Sequence, residues 1–239
     1  MDRYPRLNHL IHIYGKRNNS RLVLALDVTR SMYRPEAVET LLNKVSRKIL
    51  GVKIGLPTIL SYGLGEVARW IVSTHDILWI ADIKLADVGH IARSMIELVS
   101  EAGFDAVIIH GFIGFYGGVV EAVKASVEHS LSPILVAAMS HQGAEEYVNK
   151  FSADIVLKSL EYPVDGYVLP ATYPKYIKMF RGIVGDRVIL SPGVGVQGAP
   201  PGSAVESGAD AEIIGRTIYM DVDPIKKVDE LRGVLTWHR

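Results

Sequence analysis

Cysteine is absent from the 239 residues. Its absence excludes disulfides, thiolate metal sites and cysteine nucleophiles together. Net charge is absent too: 26 basic and 26 acidic residues cancel. No global positive field therefore argues for a nucleic-acid partner, and any anion must be bound locally. No apolar run approaches the roughly 18 to 20 residues that a membrane-spanning helix requires. The opening MDRYPRLNHLIHIYGKRNN has no signal-peptide pattern. A cytoplasmic protein without a membrane or nucleic-acid partner is the expectation. No stretch rich in Pro, Gly or Ser divides the chain, and no GxGxxG follows the first apolar run, so a dinucleotide-binding sheet loses its main support.

What is present is a regular alternation. Short runs rich in Val, Ile and Leu occupy 22–27, 49–54, 77–83, 105–109, 133–138, 166–169, 187–190 and 211–214. Their near-continuous hydrophobicity is that of parallel strands buried on both faces. Between them, 35–48, 58–72, 90–103, 117–129, 143–160 and 173–183 carry helical spacing, and each predicts one crossover helix. Eight such repeats in a chain close to the roughly 250 residues of a typical barrel predict a single-domain (β/α)8 barrel over 1–239. Residues 1–20 read as an N-terminal arm or a cap on the barrel bottom.

In that fold the active site is built at the carboxyl ends of the strands, so polar residues closing an apolar run are the candidates. They are Asp27, Lys53, Asp82 with Lys84, and His110; Ser140 follows the fifth run, and Gly215 and Arg216 close the eighth. Singly each has a plain explanation: an acid caps a helix, a lysine snorkels. His110 reads as a hydrogen-bonded core histidine. Convergence of ionisable groups from several strands on one face is what argues for a site. By period-two alternation Asp82 and Lys84 of DIKLAD share a side, with Asp87 in the turn beyond. With Lys53 they hold two ammonium and two carboxylate groups, which tolerate such density only as an alternating, hydrogen-bonded Lys/Asp/Lys/Asp chain. Separately, the loop 192–202 opens at Pro192 and holds four glycines and three prolines. With Gln197 and the Arg216 fork it predicts a phosphate site, since barrels bind phosphate after strands seven and eight.

LALDV with Asp27, VKIG with Lys53, ADIKLAD, AAMSH with Ser140, SPGVGVQG with Gln197 and IIGRTIY with Arg216 resemble, in order and spacing, the orotidine 5′-phosphate decarboxylase family, from about residue 21 to 220. The resemblance implies cofactor-free decarboxylation of orotidine 5′-monophosphate. It implies that Lys84 faces C6 of the pyrimidine and protonates it, and that Asp82 sits against the departing carboxylate. By the same resemblance Lys53 would order the array and touch the ribose, and Asp27 would hold a ribose hydroxyl. Ser140 would bond the pyrimidine, while Gln197, Gly215 and Arg216 would grip the phosphate. The resemblance also implies a homodimer in which Asp87 reaches the partner's site.

One departure is that Ile91 stands where the family carries a threonine. The DVGHI segment also resembles the sister 3-keto-L-gulonate 6-phosphate decarboxylase and hexulose-phosphate synthase, which hold Mg²⁺ with a glutamate at the end of strand two. Lys53 occupies that position here, and an ammonium is no ligand for a hard cation. Neither a metal nor an organic cofactor is expected. A non-catalytic nucleotide-binding barrel is the alternative of another class, and the presence of every charged member of the array argues against it.

Overall fold

The computed structural model describes residues 6–237. Strands β1 (Leu22–Leu26), β2 (Gly51–Gly55), β3 (Leu78–Leu85), β4 (Ala106–His110), β5 (Ser132–Val136), β6 (Gly166–Val168), β7 (Val188–Pro192) and β8 (Ala211–Ile214) close into one barrel in chain order. All the pairings are parallel, including the closing pair of β1 with β8. Around it lie α1 (Arg6–Asn18), α2 (Pro35–Val45), α3 (Leu56–Tyr62), α4 (Leu64–Ser73), α5 (Gly89–Glu101), α6 (Val120–Glu128), α7 (Ser152–Ser159), α8 (Pro174–Val184), α9 (Ser203–Glu206), α10 (Arg216–Tyr219) and α11 (Pro224–Val234). None of the described helices is long and apolar enough to cross a membrane.

Alternation along each strand divides the core in two. Val23, Ala25, Leu78, Ile80, Ile108, Val136 and Ile213 fill the barrel interior. Leu22, Leu24, Leu26, Trp79, Ile109 and Tyr167 face outward and pack with helix residues such as Val38, Trp70, Ile96 and Phe180. A strand between two apolar layers has no polar face, which is why its sequence reads as a continuous apolar run. The inward series on β1 to β3 changes from apolar to charged near the carboxyl ends, at Asp27, Lys53, Asp82 and Lys84.

α1 closes the opposite end. Its Leu7 and Ile11 join the interior cluster, and a Cβ on Gly166, the first residue of β6, would lie 3.1 Å from Leu7 Cδ2. Buried Asn18 fastens the end of α1 by donating from Nδ2 to the carbonyls of Ile49 at 2.8 Å and Asp76 at 3.0 Å. Residues 1–5 of the expected arm or cap lie outside the described residues.

Two predicted helices are broken. The segment 58–72 is α3 and α4, parted at Gly63, whose φ of 84° ends the first helix. The segment 143–160 is two 3-10 turns, Gln142–Glu146 and Val148–Phe151, followed by α7, with a non-helical Tyr147 (φ −137°, ψ −74°) between the turns. The segment 117–129 becomes α-helical only at Val120, after an irregular turn in which Gly117 has φ 76°.

Leu7 is fully buried, so Leu7→Ala leaves a cavity under the barrel. An equilibrium urea titration is expected to show a loss of about 2 to 4 kcal/mol. A loss below about 0.5 kcal/mol, the range of an ordinary surface substitution, would show that α1 does not seal the interior.

Candidate active site

A cavity of about 360 Å³ opens at the carboxyl ends of the strands. Asp27, Lys53, Asp82 and Lys84 form one side, Ser140, Pro192 and Gln197 another, and Gly215 and Arg216 complete the rim. All the predicted site residues but Asp87 line it.

The charged side is a continuous chain of contacts. Lys53 Nζ lies 2.8 Å from Asp82 Oδ2 and 3.4 Å from Asp27 Oδ1. Lys84 Nζ donates to both Asp82 oxygens at 2.9 Å. The order is Asp27, Lys53, Asp82, Lys84. Asp87 stands outside it: its side chain is exposed, and its Oδ1 accepts from the Val88 N–H at 2.7 Å. Register sets the spacing, because Lys53 pairs with Ile80 while Asp82 lies beside Gly55. Gly55 is required there, since a Cβ would fall 1.7 Å from Asp27 Oδ1. Asp27 is steadied from below by buried Thr58, whose hydroxyl accepts from the Val28 N–H at 2.9 Å and lies 3.0 Å from the Leu26 carbonyl.

Burial opposes charge on both central groups, and pairing overcomes it. The Asp82 and Asp27 carboxylates hold the Lys53 ammonium above its ordinary pKa despite desolvation. Desolvation likewise raises Asp82, but Lys53 and Lys84 outweigh it and leave the carboxyl below the usual range. Both groups stay ionised at neutral pH. Lys84 sits at φ 43°, in the left-handed region that side chains disfavour, where the β3–β4 register shifts between Ala81 and Leu85. The backbone at this lysine is held away from regular strand geometry while its ammonium meets Asp82.

The opposite side is built by loops. Ser140 Oγ donates to Gln197 Oε1 at 2.8 Å, tying the segment after β5 to the loop 192–202. The Val196 N–H donates to Thr217 Oγ1 at 3.3 Å, joining that loop to α10. The loop's far end is fixed by Glu212, fully buried on β8, whose carboxylate accepts from the N–H groups of Gly202 and Ala204 at 2.9 Å and of Val205 at 3.3 Å. Arg216, the first residue of α10, is exposed at the cavity rim and has no carboxylate partner among the described residues.

Further side chains line the cavity beyond the sequence candidates. Tyr219, one helical turn after Arg216, lines the cavity and is buried; the i, i+3 spacing in GRTIY is the signal that could have found it. Ile108, Val136 and Val168 give the cavity an apolar wall, and nothing in a buried strand's composition marks them as facing a ligand. His110 is buried as expected, but its Nδ1 has no hydrogen-bond partner among the described residues. The donor set does not suit Mg²⁺: Lys53 Nζ stands between Asp27 and Asp82, and among the described residues no three His, Cys, Asp or Glu side chains group to hold a metal.

A closed parallel barrel with an ionic chain on its carboxyl rim, facing a glycine-rich loop and an exposed arginine across one cavity, has the build of a (β/α)8 barrel enzyme. The model of the orotidine 5′-phosphate decarboxylase / HUMPS family matches residues 20–231. The chain belongs to that family. Among its relatives, an orotidine 5′-phosphate decarboxylase of Methanosarcina mazei is 36% identical over 214 residues, covering 89% of this chain and 94% of the relative. One of Aeropyrum pernix is 38% identical over 222 residues, covering 90% and 86%. The crystal structure of orotidine 5′-monophosphate decarboxylase from Sulfolobus solfataricus is similar at a TM-score of 0.80 and 32% identity, covering 90% of this chain and 97% of that one. The enzyme from Methanocaldococcus jannaschii, complexed with the inhibitor BMP, gives 0.82 at 26% identity, covering 90% and 98%.

His110 makes acid sensitivity testable. Burial, reinforced by the Lys84 charge, pushes its pKa down to about 4. A histidine depressed in the folded state stabilises the fold above its unfolded pKa of about 6.5, and that contribution is lost as pH falls toward 4. Stability is expected to drop by up to about 3 kcal/mol across this window, and by clearly less in His110→Gln, in urea titrations at each pH. An equal drop in the variant would assign the effect to another group.

Proposed function

We propose that this chain converts orotidine 5′-monophosphate to uridine 5′-monophosphate and CO2 without a cofactor, each site acting within a homodimer. The observation that carries the reading is the unbroken contact chain Asp27, Lys53, Asp82, Lys84 on one wall of the cavity. Departure of CO2 from C6 leaves an electron pair in the ring plane, orthogonal to the π system, so no carbonyl delocalises it directly. Stabilisation must be electrostatic, and an ammonium already fixed beside that carbon supplies it with no reorganisation as charge develops. In this reading Lys84 then gives its proton to C6 and regains one from water, which balances the reaction. Asp82 orients Lys84 and faces the leaving carboxylate. Lys53 and Asp27 address the ribose, Ser140 the pyrimidine, and Pro192, Gln197, Gly215 and Arg216 the loop and rim that take the phosphate. The Mg²⁺-dependent chemistry of the sister enzymes finds no support in a site whose central group is a lysine.

Asp87 serves the partner's site in this proposal. Its exposure supports that role, as do the exposed apolar side chains beside it, Val88, Ile91 and Met95 on the entry to and first turns of α5. Ile91 brings no hydroxyl to that contact. A cytoplasmic location belongs to the same proposal, because a reaction of nucleotide biosynthesis draws its substrate there.

Incubating EDTA-treated protein with orotidine 5′-monophosphate and following ultraviolet absorbance tests the activity. Turnover is expected undiminished by the chelator, and Lys84→Ala is expected to lower kcat about a thousandfold or more, since it removes both the proton donor and the fixed charge. Activity that needs added Mg²⁺, or a Lys84→Ala enzyme within tenfold of wild type, would sink the reading.

The dimer is tested by mixing. Lys84→Ala and Asp87→Ala proteins, each inactive alone, are expected to regain up to about a quarter of wild-type activity after subunit exchange, because half of the dimers are then mixed and each has one intact site of two. Absence of complementation with exchange demonstrated would put Asp87 to work in its own chain.

A further inference from the structure

β5 ends at Val136, and its ladder reaches its last bond where the Ala137 N–H donates to the Val168 carbonyl at 3.3 Å. Met139 and Ser140 lie beyond it, yet they form part of the cavity wall. A loop past the end of a sheet has no strand neighbour to fix it, and its backbone groups need other partners. Here they come from one side chain. Asn149, only 2% exposed, accepts the Met139 N–H on Oδ1 at 2.8 Å and donates from Nδ2 to the Met139 carbonyl at 3.1 Å. Taking both backbone groups of one residue is the pattern of an antiparallel strand neighbour, reproduced by a carboxamide. The remaining Nδ2 proton goes to Glu145 Oε1 at 2.7 Å, and Glu145 accepts in turn from the Tyr176 hydroxyl at 3.3 Å.

Ser140, the next residue, is held on its other side. Its Oγ donates to Gln197 at 2.8 Å, and its carbonyl accepts from Thr172 Oγ1 at 3.4 Å. The clamp thus acts on the backbone immediately before the hydroxyl that bridges to the loop 192–202. Chemistry restricts the clamping residue to an amide. Aspartate has the same size but no donor, and would set an oxygen against both the Met139 carbonyl and Glu145. Alanine would leave the Met139 N–H and carbonyl unpaired in a largely buried place.

We infer that Asn149 is a positioning residue for recognition of the base: it fixes the backbone at Met139 so that Ser140 meets the pyrimidine while held against Gln197. The inference rests on the proposed function, in which Ser140 addresses the pyrimidine. It separates the site into two parts that can be probed independently, a base side organised by Asn149 and a phosphate side organised by Arg216 and the loop.

The test compares two ligands by calorimetry, uridine 5′-monophosphate and ribose 5-phosphate, which shares the sugar phosphate and lacks the base. Asn149→Ala is expected to weaken uridine 5′-monophosphate by about tenfold or more while changing ribose 5-phosphate less than about twofold. Asn149→Asp, which keeps the side-chain volume, is expected to behave alike and serves if the alanine variant does not fold. In a Ser140→Ala background the Asn149 substitution is expected to cost less than about twofold more, because both changes then remove one interaction. Equal weakening of both ligands would make Asn149 a general brace, and losses that multiply with Ser140→Ala would show that it does not act through Ser140. Either result overturns the inference. Wild-type protein without turnover of orotidine 5′-monophosphate overturns the proposed function and this inference with it; wild-type turnover with unaltered Asn149 variants overturns the inference alone.

Discussion

The Lys53 ammonium, buried between two carboxylates at the mouth of the barrel, constrains everything around it. A lone charge in that position costs several kcal/mol, and removing one partner of a buried pair costs about 3 to 5 kcal/mol, because the other is left uncompensated. Lys53 is tolerated only because Asp82 stands 2.8 Å away and Asp27 3.4 Å away. Asp82 is tolerated only because Lys53 and Lys84 both meet it, Lys84 donating to each of its oxygens. Each member justifies its neighbour, so the set is stable as a unit and expensive to alter singly. The same constraint reaches the backbone. It demands glycine at position 55, where any side chain would collide with Asp27, and it is met at Lys84 by a residue held at positive φ.

The two sides of the cavity are held by different physics. On β1 to β3 the two central charges, Lys53 and Asp82, ride on paired strands whose ladders fix them in register, with Asp27 directly after β1 and Lys84 in the register shift of β3. On the side of β5 to β8 the functional groups lie on loops, and loops are fixed by side chains that bond the backbone: Asn149 at Met139, Thr217 at Val196, Glu212 at Gly202 and Ala204. Strand-borne groups suit a charge array that must not move as charge develops. Loop-borne groups suit contacts that close around a bound ligand and open again, because a few hydrogen bonds resist displacement less than a ladder does.

This division explains what could be read from the sequence. The strands were legible because burial on both faces leaves a continuous apolar run, and the charges were legible because they interrupt those runs at one end. The order within the array was not. DIKLAD puts Asp87 in the turn beyond Lys84, whereas within one chain the second carboxylate beside Lys53 is Asp27, and that contact depends on the pairing of β1 with β2. The helix breaks at Gly63 and Tyr147 fall inside segments whose apolar spacing continues past them, so periodicity could not find them. Glu212 reads as a polar member of a short strand, and Asn149 as a residue within the crossover helix expected over 143–160. Their bonds run to backbone groups that a single sequence gives no means of pairing.

The apolar wall completes the electrostatic argument. Ile108, Val136 and Val168, from β4 to β6, face the cavity that the charges of β1 to β3 also line. Side chains that cannot hydrogen-bond do not reorient to screen a neighbouring charge, so the field of Lys84 and Asp82 is felt across the cavity at a lower effective dielectric than water would allow. A polar wall would weaken that field and offer the ligand competing contacts. The ligand suited to such a cavity has three unlike parts. One is a flat ring that rests on the apolar wall beside the fixed ammonium. Another is a hydroxylated linker within reach of Lys53 and Asp27, and the last is an anion at the exposed guanidinium of Arg216. A nucleoside monophosphate, the ligand of the proposed function, has these parts in this order.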